Sequence, residues 1–147
     1  DLARQVQTLL TAEAHARDVR VEVDARAPGH LMGDPAQLTQ VLLNIVLNAI
    51  QASAPGQDVV VRLRESVHDI LLEVLDHGVG LSPEAAGRVF EPFFTTKPKG
   101  TGLGLPIAQR IIAAHGGTLE LSGRASSGTL ALIRLPRVPL AVREGHR

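Results

Sequence analysis

Residues 76–104 constrain this chain more than any other stretch. They hold six of its fourteen glycines, all three phenylalanines (Phe90, Phe93, Phe94) and both lysines (Lys97, Lys99). Apart from a short helix opened by Ser82-Pro83, they show no sustained hydrophobic period. Loops of this length are uncommon inside a compact domain unless they form a lid or a binding loop. The fold therefore has to be a frame of regular elements that holds one large loop. No Trp or Tyr is present, so the core of that frame is built from Leu, Val, Ile and Ala, and the three crowded rings read as a local device.

The frame is legible on both sides of the loop. Residues 2–16 place Leu2, Val6, Leu9 and Leu10 at helical spacing. Val19 to Val23 alternates as a half-buried strand does, and Ala27-Pro28-Gly29-His30 reads as a turn. Asp34 is a natural N-cap, Pro35 suits the first helical position, and Gln37 completes a capping box. From there Leu38, Leu42, Ile45, Ala49 and Ala52 form one apolar stripe that ends near Ala54-Pro55-Gly56. Two strands joined as a hairpin follow, Val59 to Leu63 and Ile70 to Leu75. Beyond the loop, Leu105 to Ala114 is helical, with Ile107, Ile111 and Ile112 apolar, and His115-Gly116-Gly117 stops it. Thr118 to Leu121 and Thr129 to Leu135 are the last strands, turning around Ser126-Ser127-Gly128. This order predicts an α+β fold: about three helices on one face of a mixed, mainly antiparallel sheet, a two-layer sandwich. Residues 1–136 form the domain, and 137–147 read as a polar, frayed tail.

Composition removes several function classes. There is no cysteine, hence no disulfide, thiol nucleophile or thiolate metal site. Fifteen basic residues balance fifteen acidic ones, so no global basic field draws nucleic acid or an anionic membrane. No 18-residue apolar run exists to span a bilayer. The chain opens on Asp1 without the shape of a signal peptide. It reads as a cytoplasmic, monomeric fragment of a longer protein, whose parent could itself be membrane-anchored.

Three constellations carry chemistry. Asn44 and Asn48 lie one turn apart on one face of the capped helix, with Gln37 and Gln51 on or near that face. Asparagine is a poor interior helix former, and its amide oxygen suits a hard cation such as magnesium; two solvated asparagines on an outer face are the alternative. Asp76-His77-Gly78-Val79-Gly80-Leu81-Ser82 ends a strand in a carboxylate and turns through two glycines that permit close backbone approach; an ordinary strand-to-helix turn is the alternative. In Lys97-Pro98-Lys99-Gly100-Thr101-Gly102-Leu103-Gly104-Leu105, glycines at alternate positions expose N–H groups ahead of a helix start, which suits phosphate. The spacing is neither that of a P-loop nor that of a dinucleotide fingerprint, and no protein-kinase catalytic loop is present. From the residues alone this is a magnesium–nucleotide site with a glycine-rich lid.

The order of these pieces resembles one family. Gln40-Val41-Leu42-Leu43-Asn44-Ile45-Val46-Leu47-Asn48-Ala49 is similar to the N box of sensor histidine kinases, and Asp76-His77-Gly78-Val79-Gly80 to their first glycine box. Phe90-Glu91-Pro92-Phe93-Phe94-Thr95-Thr96-Lys97 resembles their F box, in its nitrogen-regulator wording, and Gly100-Thr101-Gly102-Leu103-Gly104-Leu105 their second glycine box. His115-Gly116-Gly117, Gly128-Thr129 and Leu135-Pro136 also match, and the wider group is the GHKL ATPases with the Bergerat-type fold. The resemblance spans about residues 1–136. Pro106 departs from it, standing where Ser, Thr or Ala is usual, and so do Leu130-Ala131, where an aromatic commonly follows Thr129.

The resemblance implies that the chain binds ATP and magnesium. Asp76 would accept from the adenine amine, supported by Thr129. Gly78 and Gly80 would let the backbone pass close to the nucleotide. Asn48 would hold magnesium, and Asn44 would sit near the γ-phosphate. Gly100, Thr101, Gly102, Leu103, Gly104 and Leu105 would form the phosphate-binding lid, with Lys97 approaching the phosphates. Phe90, Phe93 and Phe94 would anchor the lid or dock it on a partner helix. The family's nucleophile is a histidine on a separate dimeric helical hairpin, and no such box occurs here: His15 ends a surface helix, His30, His68 and His146 lie in loops or at strand ends, and His115 ends a helix where a cation is mildly favoured. The chain then serves as the ATP-binding half of a histidine protein kinase, with the histidine-bearing dimerisation domain as partner and a response regulator beyond it. A hydrolytic ATPase would carry a glutamate base at Asn44, which cannot take a proton. A nucleotide-binding pseudokinase is a third reading, disfavoured by the complete glycine boxes.

Overall fold

The computed structural model describes residues 2–25, 34–78, 91, 104–124 and 128–136. Four helices and five strands follow in the order α1 (Leu2–Leu9), α2 (Thr11–Ala16), β1 (Arg20–Ala25), α3 (Pro35–Ala52), β2 (Asp58–Glu65), β3 (Asp69–Leu75), α4 (Gly104–Ala114), β4 (Thr118–Gly123) and β5 (Thr129–Pro136). The strands form one sheet in the order β1-β2-β3-β5-β4. Only β1 and β2 are parallel; β2–β3, β3–β5 and β5–β4 are antiparallel. The α+β sandwich read from the sequence is the one observed.

The connections fix how the helices run. β1 reaches its parallel neighbour β2 through α3, and β3 reaches β4, its parallel counterpart across β5, through α4. A crossover helix returns against the direction of the strands it joins. Because β2 and β3 are antiparallel, α3 and α4 run in opposite directions. They pack on each other, α3 over β2 and β3, α4 over β4, and α1 over β1 and the flank of α3.

Alternation sorts the strands cleanly. Val59 and Val61 of β2, Ile70, Leu72 and Val74 of β3, Leu119 of β4, and Ala131, Ile133 and Leu135 of β5 face the helices and are buried. On the other face Glu73 is held by Arg64 at 2.8 Å and, more loosely, by Arg62 at 3.7 Å.

Helix α3 is buried more widely than its predicted stripe. Val41, Val46 and Ile50 join Leu38, Leu42, Ile45 and Ala49 in the core, because the helix rests on the sheet and is flanked by α1 and α4. Asp34 caps it as expected, Oδ1 accepting from the Ala36 and Gln37 N–H groups at 2.9 and 3.2 Å. The reciprocal half of the predicted capping box is replaced. The backbone N–H of Asp34 donates to Nε2 of His115 at 3.1 Å, and Gln37 is exposed.

The expected single helix over residues 2–16 is two segments, so the described residues hold four helices where about three were expected. Thr8 and Thr11 hydroxyls donate to the carbonyls of Arg4 and Gln7, four residues back, a pattern that bends helices. Val6 and Ala14 remain buried across the break, whereas Leu9 is 59% exposed and leaves the predicted stripe. The turn at 27–30, the Ser82-Pro83 helix, the residues around Ser126-Ser127 and the tail from Arg137 lie outside the described residues.

The corner after α4 depends on close approach. Gly116 has φ +79°, and a Cβ on Gly117 would strike the Arg134 carbonyl and lie 2.9 Å from Leu135 Cδ2. Gly117→Ala should therefore cost about 1–3 kcal/mol, as overpacking does. Chemical denaturation followed by circular dichroism would measure it; unchanged stability would mean that β5 yields at Arg134.

Candidate functional site

One end of the sandwich gathers Asp76, Gly78 and Thr129. The C-terminal end of β3, the start of β5 (Leu75 is registered with Leu130) and the last turn of α3 meet there. Asp76 follows β3 directly and is only 5% exposed. Its Oδ1 accepts the Gly78 N–H at 2.9 Å and the Thr129 N–H at 3.2 Å. Its own N–H donates to the Thr129 carbonyl at 3.0 Å. Thr129 thus holds the carboxylate through its backbone. No described donor takes Oδ2 of Asp76, which leaves an acceptor for a ligand.

Burial dominates the electrostatics of this carboxyl. Desolvation raises its pKa above the usual 3.8, opposed by the two backbone N–H groups and by the positive charges of Arg124 and His77. A carboxyl held by two backbone N–H groups on one oxygen, with the other oxygen open, can accept an amine N–H.

Two residues that sequence reasoning missed hold the turn. Arg124, after β4, donates from Nη1 to the Asp76 carbonyl at 2.8 Å and lies 3.4 Å from Nδ1 of His77. Gln57, before β2, donates from Nε2 to the His77 carbonyl at 3.1 Å and accepts from the Ala54 N–H at 2.8 Å. Neither belongs to a motif or a period, so only spatial proximity reveals them. Two glycines allow the same closeness. A Cβ on Gly78 would overlap the Ala52 carbonyl at the end of α3, and one on Gly128 (φ +95°) would overlap the Asp76 carbonyl. Gly78 is thus required by packing against α3, whatever else passes beside it.

On α3, Asn44 and Asn48 are half-buried. The α3–α4 pairing brings Gly104 to Asn44: a Cβ built on Gly104 would lie 3.8 Å from Asn44 Cγ and 3.9 Å from Oδ1. The first turn of α4, with the partial positive charge of a helix N-terminus, therefore stands beside an amide side chain. Leu105 is half-buried behind it, and Pro106 is buried within the first turn, where its missing N–H costs nothing. Gly80, Phe90, Lys97, Gly100, Thr101, Gly102 and Leu103 lie outside the described residues.

The donor set fits magnesium of one kind. Among the described residues no group of three His, Asp or Glu side chains forms a metal cage. Asn44 and Asn48 offer amide oxygens, which suit an ion that keeps its waters and arrives with phosphates. A separate cavity of about 430 Å³ lies between α1, α2 and the turn before β2, lined by Gln7, His15, Asp18, Gln57 and Asp58 among others. Neither asparagine nor Asp76 lines it.

Comparison with known proteins agrees with this geometry. The family model for "Histidine kinase-, DNA gyrase B-, and HSP90-like ATPase" matches residues 33–139. Sensor histidine kinase ZraS of Salmonella typhi is 36% identical over 138 residues, covering 92% of this chain and 30% of the relative. The chain thus spans under a third of that protein's length. The catalytic domain of histidine kinase ThkA superposes with a TM-score of 0.85 at 28% identity, covering 94% of this chain and 93% of that one. The same kinase in complex with response regulator protein TrrA gives a TM-score of 0.78 at 25% identity, covering 92% of this chain and 39% of that chain.

The raised pKa of Asp76 has a measurable sign. Its contribution to stability is fully present below 3.8 and is lost as pH rises through the higher folded-state value, so ionised Asp76 weighs against the fold at neutral pH. Asp76→Asn keeps Oδ1 as acceptor and should melt above the wild type at pH 7, the difference vanishing once the carboxyl is protonated. Thermal melts at both pH values test it; a lower melting temperature for the variant at pH 7 would refute it.

Proposed function

Because the chain belongs to the histidine kinase-, DNA gyrase B-, and HSP90-like ATPases, on the sensor-kinase side of that family, we propose that it binds Mg-ATP and presents the γ-phosphate to a histidine on a separate dimerisation domain. The observation that carries this is Asp76: a buried carboxylate with Oδ1 saturated by two backbone N–H groups and Oδ2 left for a ligand. Such an acceptor suits the exocyclic amine of adenine and rejects a base that offers a carbonyl there, since two facing acceptors would be left unpaired.

Each described residue then has one task. Asp76 receives the adenine N–H. The Thr129 and Gly78 N–H groups hold that carboxylate in place, and Arg124 and Gln57 hold its backbone. Asn48 holds magnesium, and Asn44 stands by the γ-phosphate at the first turn of α4. Magnesium, when bound, neutralises charge on the phosphates. Lys97 and residues 100–105 close over the phosphates as a lid, and Phe90 with its neighbours anchors it. Phosphoryl transfer demands positioning and charge stabilisation more than covalent help from the protein, and these groups supply both.

The acceptor histidine belongs to the partner domain. The only described histidine on α1 or α2, His15, is exposed on a short surface helix. A response regulator stands downstream, the class of partner seen with ThkA. Hydrolysis is disfavoured, because Asn44 has no basic oxygen to activate water. Among the described residues no helix is long and apolar enough to cross a membrane.

Two outcomes test the proposal. Asp76→Ala should abolish Mg-ATP binding in calorimetry with the circular dichroism spectrum unchanged; equal affinity would remove Asp76 from the site. Lacking the general base that contributes about 10²–10⁴-fold, the chain alone should hydrolyse ATP well below about 1 s⁻¹ and should not label itself from γ-labelled ATP. It should label a dimeric histidine-bearing hairpin added in trans, and Asn48→Ala should block that transfer. Hydrolysis at or above that rate by the chain alone would place it with the ATPases.

A further inference from the structure

The two helices that bear the phosphate end of the site pack on each other, and two of the places where they meet matter here. At one, Gly104 of α4 lies against Asn44 of α3. At the other, the residue after α4 meets the N-cap of α3: His115 Nδ1 is 2.8 Å from the Ile111 carbonyl, and His115 Nε2 is 3.1 Å from the Asp34 N–H. A carbonyl only accepts and an N–H only donates. Both contacts therefore demand one ring state, neutral, with the proton on Nδ1.

Three features hold the ring in place. The His115 N–H is bonded to the Ile111 and Ile112 carbonyls at 3.2 and 3.0 Å, and the Gly117 N–H to Ile112 at 2.9 Å. Gly116 at φ +79° and the tight seat of Gly117 against Arg134 turn the chain sharply after the ring. The Asp34 N–H, left over by the helix it caps, donates to His115 Nε2 at 3.1 Å.

We propose that His115 is a positioning residue for the nucleotide site: one neutral imidazole fastens the N-cap of α3 to the C-terminal end of α4 and so sets the register in which Asn44 faces the first turn of α4. This rests on the reading of Asn44 and α4 as the phosphate end of the site. With the latch removed, the antiparallel pair can slide or splay at one end, and the displacement reaches Asn44 and Gly104 at the other.

The test separates position from mere stability. Nitrogen NMR of the ring should show Nδ1 protonated and Nε2 unprotonated at neutral pH, with the Asp34 amide protected from exchange. His115→Ala should expose that amide and weaken Mg-ATP binding by about three- to ten-fold, the range that one hydrogen bond is worth. His115→Gln, whose amide oxygen can reach the Asp34 N–H, should recover most of the affinity. An Nε2–H ring, an alanine variant that melts lower yet binds Mg-ATP as the wild type does, or a folded glutamine variant no better than alanine would each overturn the proposal. If the wild type fails to bind Mg-ATP, the functional reading and the affinity half of this proposal fall together, while the ring state and Asp34 protection still decide the latch.

Discussion

Helix α3 is gripped on nearly all sides, and the rest of the domain is arranged by that grip. The sheet lies beneath it, α1 on one flank and α4 on the other, and seven of its side chains are buried. Full burial of each large aliphatic side chain is worth about 1.5–3 kcal/mol, so these contacts far outweigh the weak helix propensity of Asn44 and Asn48. Two polar residues that would loosen an isolated helix are carried as rigid equipment. Rigidity is what a site needs when it works by placing groups rather than by reacting.

The same packing imposes a cost at Asp76. The carboxylate is drawn out of water by the closing of β3, β5 and α3 around it, and its proton affinity rises accordingly. The Thr129 and Gly78 N–H groups and the Arg124 charge offset part of that penalty. An ionisable group kept in such a place marks a functional site more often than a structural one. Glu73 gives the contrast. It is nearly as buried, but it is flanked by Arg62 and Arg64 on the sheet's outer face, and its neighbours account for its presence there.

Much of this was legible before any coordinates. The elements of the frame are local, and their signals are local too: period two for β2, β3 and β5, the Asp34-Pro35 start of α3, the His115-Gly116-Gly117 stop of α4. Where local signals compete, the reading slipped. Leu9 fits the helical period by spacing, but two threonines hydrogen-bonded back to the helix bend it, and Leu9 turns outward. Gln37 fits a capping box by spacing, but a histidine far along the chain takes the bond instead.

By itself, the sequence determined the element order, the α+β class, the pairing of Asn44 with Asn48 on one helix face, and the carboxylate at the end of a strand, because each follows from spacing along a single element. Only the tertiary structure decided which way α3 and α4 run, that Gly104 meets Asn44, that Gly78 and Gly128 must be bare because backbone lies against them, and that Arg124, Gln57 and His115 hold the site together. Those are contacts between segments distant in the chain. They exist because the sheet's mixed strand directions bring such segments side by side, and no periodicity within one segment encodes the neighbour it will meet.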